Sequence, residues 1–313
     1  MNILLASDDR FVQHCCVTIT SVLINNPGAV FYLFTEGLTN ENTQLLKEQV
    51  KRYKGELIIC IVGHDQVKDF PMPSFMSSHI SIATYYRLFA ARILPEKVKK
   101  VIYLDCDIVV RGSLMGLWRK DVDDYALAAV YQSHEHSEGG EVGPKSYTRL
   151  NIPPDYGYFN AGVLLVNLEY WRNKNVTDRL FDFIKNHCNL IHAHDQDVLN
   201  AVLYAETKVL DPTWNFREHF MNGKQYTYPS KVNYSELPEN PIVVHFVSKP
   251  KPWEYFCNHP YRKEYYKYLD LTPYKGWKPK FSWKQFKRDR LFPWIVKNDR
   301  WGIRYLFIKR KKI

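Results

Sequence analysis

Three apolar runs, at residues 3–6, 30–34 and 57–62, alternate with two stretches of helical periodicity, 11–24 and 39–53. That alternation limits the fold more than any other feature. Parallel strands must be joined by a crossover of about a dozen residues or more, usually a helix, so the pattern specifies an α/β chain with a largely parallel sheet. Asn25-Asn26-Pro27-Gly28 stops the first helix, and Thr39 is placed to cap the second. Ligands of such sheets bind beyond the carboxyl ends of the strands, which puts Ser7-Asp8-Asp9-Arg10 at a binding edge. Further helices are expected at 82–94, 171–187 and 195–205, and strands at 101–110, 125–131 and 242–247. Residues 69–78 and 132–156 read as loops, the second rich in glycine and proline.

The run from Val101 to Val110 is apolar except for Asp105-Cys106-Asp107. In an extended chain the two carboxylates share one face, with Cys106 on the other. Two carboxylates in an oily strand repel each other and resist desolvation, so a cation is expected between them. Two further Asp-x-Asp pairs, Asp121/Asp123 and Asp195/Asp197, lack that apolar setting. His245, at another strand end, is either a third ligand or a core histidine satisfied by hydrogen bonds. Carboxylates with one imidazole suit Mn²⁺ or Mg²⁺ better than structural zinc, and the open positions of such an ion suit a diphosphate. Lys251, in a proline-stiffened segment, is a candidate phosphate ligand or simply an exposed lysine. Arg87, on one helix face with Thr84, is likewise a candidate phosphate ligand or one half of a surface pair. Asp195-Gln196-Asp197 opens a helix, so Asp195 is either an N-cap or, with the amide, a holder of sugar hydroxyls or a group facing an anomeric carbon.

At 313 residues with 45% hydrophobic content the chain builds one large domain, with or without an appendage. The net charge of +10 is concentrated at one end. Residues 275–313 hold fourteen Lys/Arg and two Asp, so the remaining body is close to neutral. A neutral body argues against nucleic acid as a partner. The chain therefore divides into a body, 1–274, and a basic, aromatic tail, 275–313, that suits an anionic membrane surface or packs on the body as extra helices. Six cysteines without a CxxC pair read as free thiols of a reducing compartment. No apolar run is long enough to span a bilayer, and polar residues follow the first strand at once, so the expected location is cytoplasmic.

The segments Ala6-Ser7-Asp8-Asp9, His79-Ile80-Ser81-Ile82-Ala83-Thr84-Tyr85-Tyr86-Arg87-Leu88 and Tyr103-Leu104-Asp105-Cys106-Asp107 are followed by Tyr158-Phe159-Asn160-Ala161-Gly162-Val163-Leu164-Leu165-Val166-Asn167-Leu168. His194-Asp195-Gln196-Asp197-Val198-Leu199-Asn200 and His245-Phe246 with Lys251-Pro252-Trp253 complete the series. In this order they resemble glycosyltransferase family 8, retaining enzymes with a GT-A fold, and most of all the bacterial lipopolysaccharide and lipooligosaccharide α-glucosyl- and α-galactosyltransferases. The resemblance implies a Rossmann-like, mixed but mostly parallel sheet flanked by helices. It implies Mn²⁺, with Mg²⁺ as substitute, on Asp105, Asp107 and His245, and UDP-glucose or UDP-galactose as donor. Ala6 and Asp8 would meet the uridine. Arg87, Asn160, Ala161, Asp195 and Gln196 would hold the donor sugar. Lys251 would bind the diphosphate, and His79, Thr84 and Cys106 would complete the donor pocket. The Gln196 amide would lie near the β face of the anomeric carbon, leaving double displacement and front-face attack both open.

Three positions depart from the family pattern. Phe11 stands where a tyrosine often stacks on uracil, Arg10 replaces a small polar residue, and Ser248 replaces a glycine. The implied activity is hexosyl transfer to a hydroxyl of a lipopolysaccharide-type, lipid-linked or other cell-surface oligosaccharide, at the inner membrane face, with residues 132–156 ordering over the donor. The alternatives are an inactive, membrane-associated UDP-sugar-binding protein and a metal-dependent nucleotide-sugar pyrophosphohydrolase.

Overall fold

Strands β1 (Asn2–Ala6), β2 (Val30–Thr35) and β3 (Glu56–Ile61) lie parallel, in the spatial order β3-β2-β1. The helices between them are Val12–Asn25 and Asn40–Arg52. Thr39 caps the second, its side chain accepting from the Asn42 amide. These features come from a computed structural model, which describes residues 1–71, 81–133, 145–221, 228, 230–232, 234, 236–291 and 294. Alternation sorts each strand between two cores: Ile3 and Leu5 pack on one face of the sheet and Leu4 on the other, all three without exposed surface. Burying each such side chain stabilises the fold by about 1.5–3 kcal/mol.

The sheet continues through β4 (Lys100–Leu104), β6 (Leu127–Tyr131), β7 (Phe159–Asn167) and β8 (Thr207–Val209), in the complete order β3-β2-β1-β4-β7-β6-β8. A separate two-stranded sheet pairs β5 (Ile108–Val110) with β9 (Val243–His245). β4 is parallel to β1, whereas β7 is antiparallel to both β4 and β6. That reversal has a functional consequence. The carboxyl end of β4 meets the beginning of β7, so Asn160, Ala161 and Gly162 arrive at the edge where β1 and β4 end.

Several expected elements are divided differently. The strand expected over 101–110 is broken at Asp105-Cys106-Asp107, where the chain leaves the large sheet and turns into the small one. The two carboxylates therefore do not share one pleated face. The turn avoids enclosing two charges in a ladder, and it is pinned from both sides. The Asp105 amide donates to Gly162 O at 2.9 Å, and the Phe246 amide donates to Asp107 O at 3.0 Å. The last strand is correspondingly short and pairs outside the main sheet.

The helix expected over 82–94 is a 3₁₀ helix, Ile82–Phe89, followed by one α-turn, Ala90–Ile93. The helix expected over 171–187 is two, Leu168–Asn173 and Val176–Asn186, separated at Asn175 with φ +48°. Asparagine tolerates that left-handed conformation better than most residues. The expected loop 132–156 contains a helix, Lys145–Arg149. Residues 134–144 of that loop, 72–78 of the earlier one and the following 79–80, His79 included, lie outside the described residues. All six cysteines are free thiols.

Of the tail, residues 275–291 and Trp294 are described, and the rest lies outside. The described part packs on the body. Phe281 and Phe286 meet Phe256 at ring-centroid distances of 5.8 and 5.8 Å, and Arg288 makes two 3.0 Å bonds to Glu254. Among the described residues, no helix is long and apolar enough to cross a membrane.

Candidate active site

The broken strand brings Asp105 and Asp107 beneath His245, the last residue of β9. One ligand atom from each lies within 4.8 Å of the others, and no other group of three potential metal ligands forms among the described residues. His245 Nε2 is 3.0 Å from Asp107 Oδ1 and 3.7 Å from Asp105 Oδ2. On the other side of the ring, Nδ1 lies 3.0 Å from Asn215 Oδ1. A carboxamide oxygen can only accept, so Nδ1 carries a proton and donates. A neutral imidazole in that state turns its Nε2 lone pair toward two carboxylates, an arrangement that a cation resolves. Two carboxylate oxygens and one imidazole nitrogen fit Mn²⁺ or Mg²⁺.

Around this cluster, charges alternate. Lys251 Nζ donates to Asp107 Oδ2 at 2.7 Å, to Val247 O at 2.8 Å, and to Phe246 O. Burial would raise the Asp107 pKa, but the Lys251 ammonium, 2.7 Å away, outweighs it and holds the carboxyl well below the usual carboxylate range. Arg87 Nη2 donates to Asp105 Oδ1 at 2.9 Å, and Arg87 Nε lies 2.9 Å from Asp195 Oδ2. Its guanidinium also lies over the Tyr103 ring at 3.9 Å, and Tyr103 donates to Asp105 Oδ1 at 2.7 Å. Burial disfavours the guanidinium charge, yet Asp105 and Asp195 raise the Arg87 pKa above its ordinary value.

The 3₁₀ helix explains how Thr84 and Arg87 reach one target. At three residues per turn, positions i and i+3 eclipse. Thr84 accordingly donates to Asp195 Oδ1 while Arg87 flanks Oδ2. Asp195 is therefore not the N-cap of the helix His194–Leu203, since Ala193 occupies that position. Asp197 supplies the capping contacts instead, accepting from the His192 and Ala193 amides at 2.7 and 2.7 Å. His194 has φ +52°, and that left-handed residue directs Asp195 and Gln196 inward. Burial pushes the Asp195 carboxyl up to about 6, against the opposing pull of Arg87 and Thr84.

Gln196 lies against the start of β7. Its Oε1 accepts from Asn160 Nδ2 and from the Ala161 amide, both at 2.9 Å, and Ala161 O accepts from Arg87 Nη1 at 2.5 Å. Asp105, Asp107, His245, Lys251, Arg87, Thr84, Asn160, Ala161, Asp195 and Gln196 thus form one contiguous site. Cys106 sits behind it, its thiol on Ala6 O at 3.4 Å. Asp8 lies farther out, accepting from the Phe11 amide at 3.1 Å and from Arg10 at 3.2 Å. Arg10 thereby points along the surface. Phe11 packs edge-on against Trp253 at 5.6 Å and against His14 at 4.6 Å. The Ser248 amide donates to Glu218 Oε1 at 3.0 Å.

Sequence reasoning missed Asn215, Tyr103, Tyr158, His14 and the crowding at Gly162. His14 stacks on Trp253 at 3.7 Å and donates to or accepts from the Tyr265 hydroxyl at 2.7 Å; burial lowers its pKa to about 3. Asn215, Tyr158, His14 and Gly162 carry no local signal, because each matters through a partner distant in the chain; Tyr103 stands only two residues from Asp105, but its place under Arg87 is set by the fold.

Comparison with known proteins agrees with this geometry. A model of glycosyl transferase family 8 matches residues 2–257. The chain is 31% identical over 280 residues to general stress protein A of Bacillus subtilis, covering 87% of this chain and 94% of that protein. It is 28% identical over 264 residues to lipopolysaccharide 1,3-galactosyltransferase of Salmonella typhimurium, covering 83% and 74%. The fold is similar to that of the galactosyltransferase LgtC in complex with donor and acceptor sugar analogs. That match has a TM-score of 0.77 at 25% identity and covers 87% of this chain and 96% of that one. With the family's motifs gathered at the carboxyl edge of a GT-A sheet, the chain belongs to glycosyl transferase family 8 and is a glycosyltransferase.

Proposed function

We propose that the protein is a Mn²⁺-dependent, retaining hexosyltransferase that moves glucose or galactose from a UDP-sugar to a hydroxyl of a lipopolysaccharide-type or other cell-surface oligosaccharide. The observation that carries this reading is the convergence of Asp105, Asp107, His245 and Lys251 beside Arg87, Asn160, Asp195 and Gln196. The first group suits a metal diphosphate and the second a sugar. A lipopolysaccharide galactosyltransferase and a lipopolysaccharide 1,2-glucosyltransferase of Escherichia coli are among the relatives, which supports the choice of hexose and acceptor.

When bound, Mn²⁺ supplies a positive charge that stabilises a leaving diphosphate. The chain supplies the rest. Lys251, already carrying its ammonium at the edge of the carboxylate pair, holds a phosphate oxygen as a point charge. Asp195 and the Asn160 amide hold sugar hydroxyls, with Arg87 fixing the orientation of Asp195. Gln196 Oε1 already accepts two hydrogen bonds and is a weak nucleophile, which favours front-face attack over double displacement. In that step the acceptor oxygen bonds the anomeric carbon as the bond to the phosphate oxygen breaks, and the acceptor proton passes to that phosphate. In this reading Ala6, Asp8 and Phe11 would meet the uridine, and Cys106, Ser248 and His79, the last outside the described residues, would complete the donor pocket.

In the same reading, residues 275–313 form a membrane-associating segment that docks the enzyme on the cytoplasmic, anionic face of the inner membrane. Exposed Phe281, Trp283 and Trp294 beside Lys280, Lys284 and Lys287 support it.

The test is product analysis. With Mn²⁺, UDP-glucose or UDP-galactose and a lipopolysaccharide-type oligosaccharide acceptor, the purified protein is expected to release UDP and to leave an α-linkage on the acceptor by proton NMR. UMP with sugar phosphate would make it a pyrophosphohydrolase. UDP binding by calorimetry without turnover on any acceptor would make it a binding protein.

A further inference from the structure

The side chains behind His245 form a hydrogen-bond run whose direction is fixed at several points. Backbone amides can only donate. The Gly162 amide, 3.1 Å from Asn160, therefore identifies the atom facing it as Oδ1, and the Ala161 amide identifies the Gln196 atom facing it as Oε1. Asn160 Oδ1 also accepts from Asn215 Nδ2 at 2.8 Å, which leaves Asn215 Oδ1 toward His245 Nδ1. At the far end Gln196 Nε2 donates to the Tyr158 hydroxyl at 3.2 Å, and Tyr158 donates to Asp197 Oδ1 at 2.7 Å. Each of these amides has one orientation consistent with its neighbours. Asn215 has no exposed surface, and Asn160, Gln196 and His245 are buried as well.

We propose that Asn215 is a positioning residue with two separable tasks: its oxygen holds His245 in the Nδ1–H tautomer that presents Nε2 to a divalent cation, and its amide nitrogen orients Asn160 toward the sugar side of the site. This rests on the assignment of Asp105, Asp107 and His245 as cation ligands. Strands β7 and β9, distant in sequence, meet through this one side chain. The residues Pro212–Trp214 form a 3₁₀ turn that delivers it, and the Phe216 and His245 amides bond to Val243 O and Phe216 O, at 2.9 Å each, to hold the turn against β9.

Two substitutions separate the tasks. Asn215→Leu removes both. Asn215→Asp keeps an acceptor for His245 Nδ1–H but replaces the donor to Asn160 Oδ1 with a second acceptor. Mn²⁺ affinity is measured by isothermal calorimetry on wild type and both variants, with circular dichroism melting to establish folding, and kcat for UDP release is measured at saturating Mn²⁺. Asn215→Leu is expected to weaken Mn²⁺ binding about 10- to 100-fold, the range seen when the hydrogen-bond partner of a ligating histidine is lost. Asn215→Asp is expected to bind Mn²⁺ at least as tightly as wild type, while kcat falls about tenfold. Equal Mn²⁺ affinity in wild type and folded Asn215→Leu would overturn the proposal while sparing the cation assignment. So would loss of Mn²⁺ binding by Asn215→Asp, the deciding result if the leucine variant does not fold. Absence of Mn²⁺ binding by wild type would overturn the cation assignment itself.

Discussion

A methyl group on Gly162 would lie 2.1 Å from His245 Cε1, 2.7 Å from its Nδ1 and 2.8 Å from Asp105 Oδ2. No backbone angle requires glycine there; the requirement is the close approach of β7 to the imidazole. Gly162→Ala is expected to push His245 aside, weakening Mn²⁺ binding at least about tenfold and destabilising the fold by about 1–3 kcal/mol through overpacking. Calorimetry and urea unfolding read the two effects separately. Asp195 gives a pH signature. Its folded-state pKa is about 6 against an ordinary 3.8, so the folded protein holds the extra proton between those values and stability falls as pH rises through that window. The melting temperature of wild type should therefore decline relative to Asp195→Asn between about pH 4 and 6. Parallel pH profiles for the two proteins would contradict this. Neither effect was legible in the sequence. Gly162 lies in an ordinary apolar run, and the Asp195 shift comes from burial, which only the fold creates, against the opposing pull of Arg87, more than a hundred positions away.

The elements were legible to different degrees, for physical reasons. The first three strands and two helices were readable because their periodicities differ and their stops are local: Pro27-Gly28 for one helix, Thr39 for the other. The direction of β7 was not, since a strand buried on both faces shows a continuous apolar run whichever way it points. The break at Asp105-Cys106-Asp107 follows from the same desolvation argument that predicted a cation there, yet the chain's escape into a second sheet depends on β9, which lies far along the sequence. The segment 281–291 braces the Lys251 loop. Glu254 Oε2 accepts from the Lys251 amide at 2.7 Å, and Arg288 holds Glu254 in place. Arg288 is partly exposed, so Arg288→Ala is expected to change stability by at most about 1 kcal/mol. The donor KM, by contrast, should rise several-fold as the loop loosens. A large fall in melting temperature with unchanged KM would reverse that assignment.

Across the whole molecule, charge and chemistry are segregated. The body is near neutral and carries the site, while the excess of positive charge lies in the last forty or so residues. Composition made that division plain. The packing of residues 281–291 on the body was visible only in three dimensions, because it depends on Phe256 and Glu254. The full-length protein is expected to sediment with phosphatidylglycerol vesicles and not with phosphatidylcholine vesicles, and to be released at high salt. Equal binding to both would remove the electrostatic account. The proposed cation site was legible as a pair of carboxylates with a histidine; the hydrogen-bond partner of that histidine was not, because Asn215 stands in an unremarkable turn. The most direct measurement is UDP release from UDP-glucose and UDP-galactose by wild type and Asp107→Asn, each with chelator and with added Mn²⁺. Wild-type turnover should vanish with chelator and return with Mn²⁺, while Asp107→Asn stays, in either condition, at least about a hundredfold below the Mn²⁺-loaded wild type. Full activity in Asp107→Asn, or in wild type with chelator present, would contradict a site built around a divalent cation.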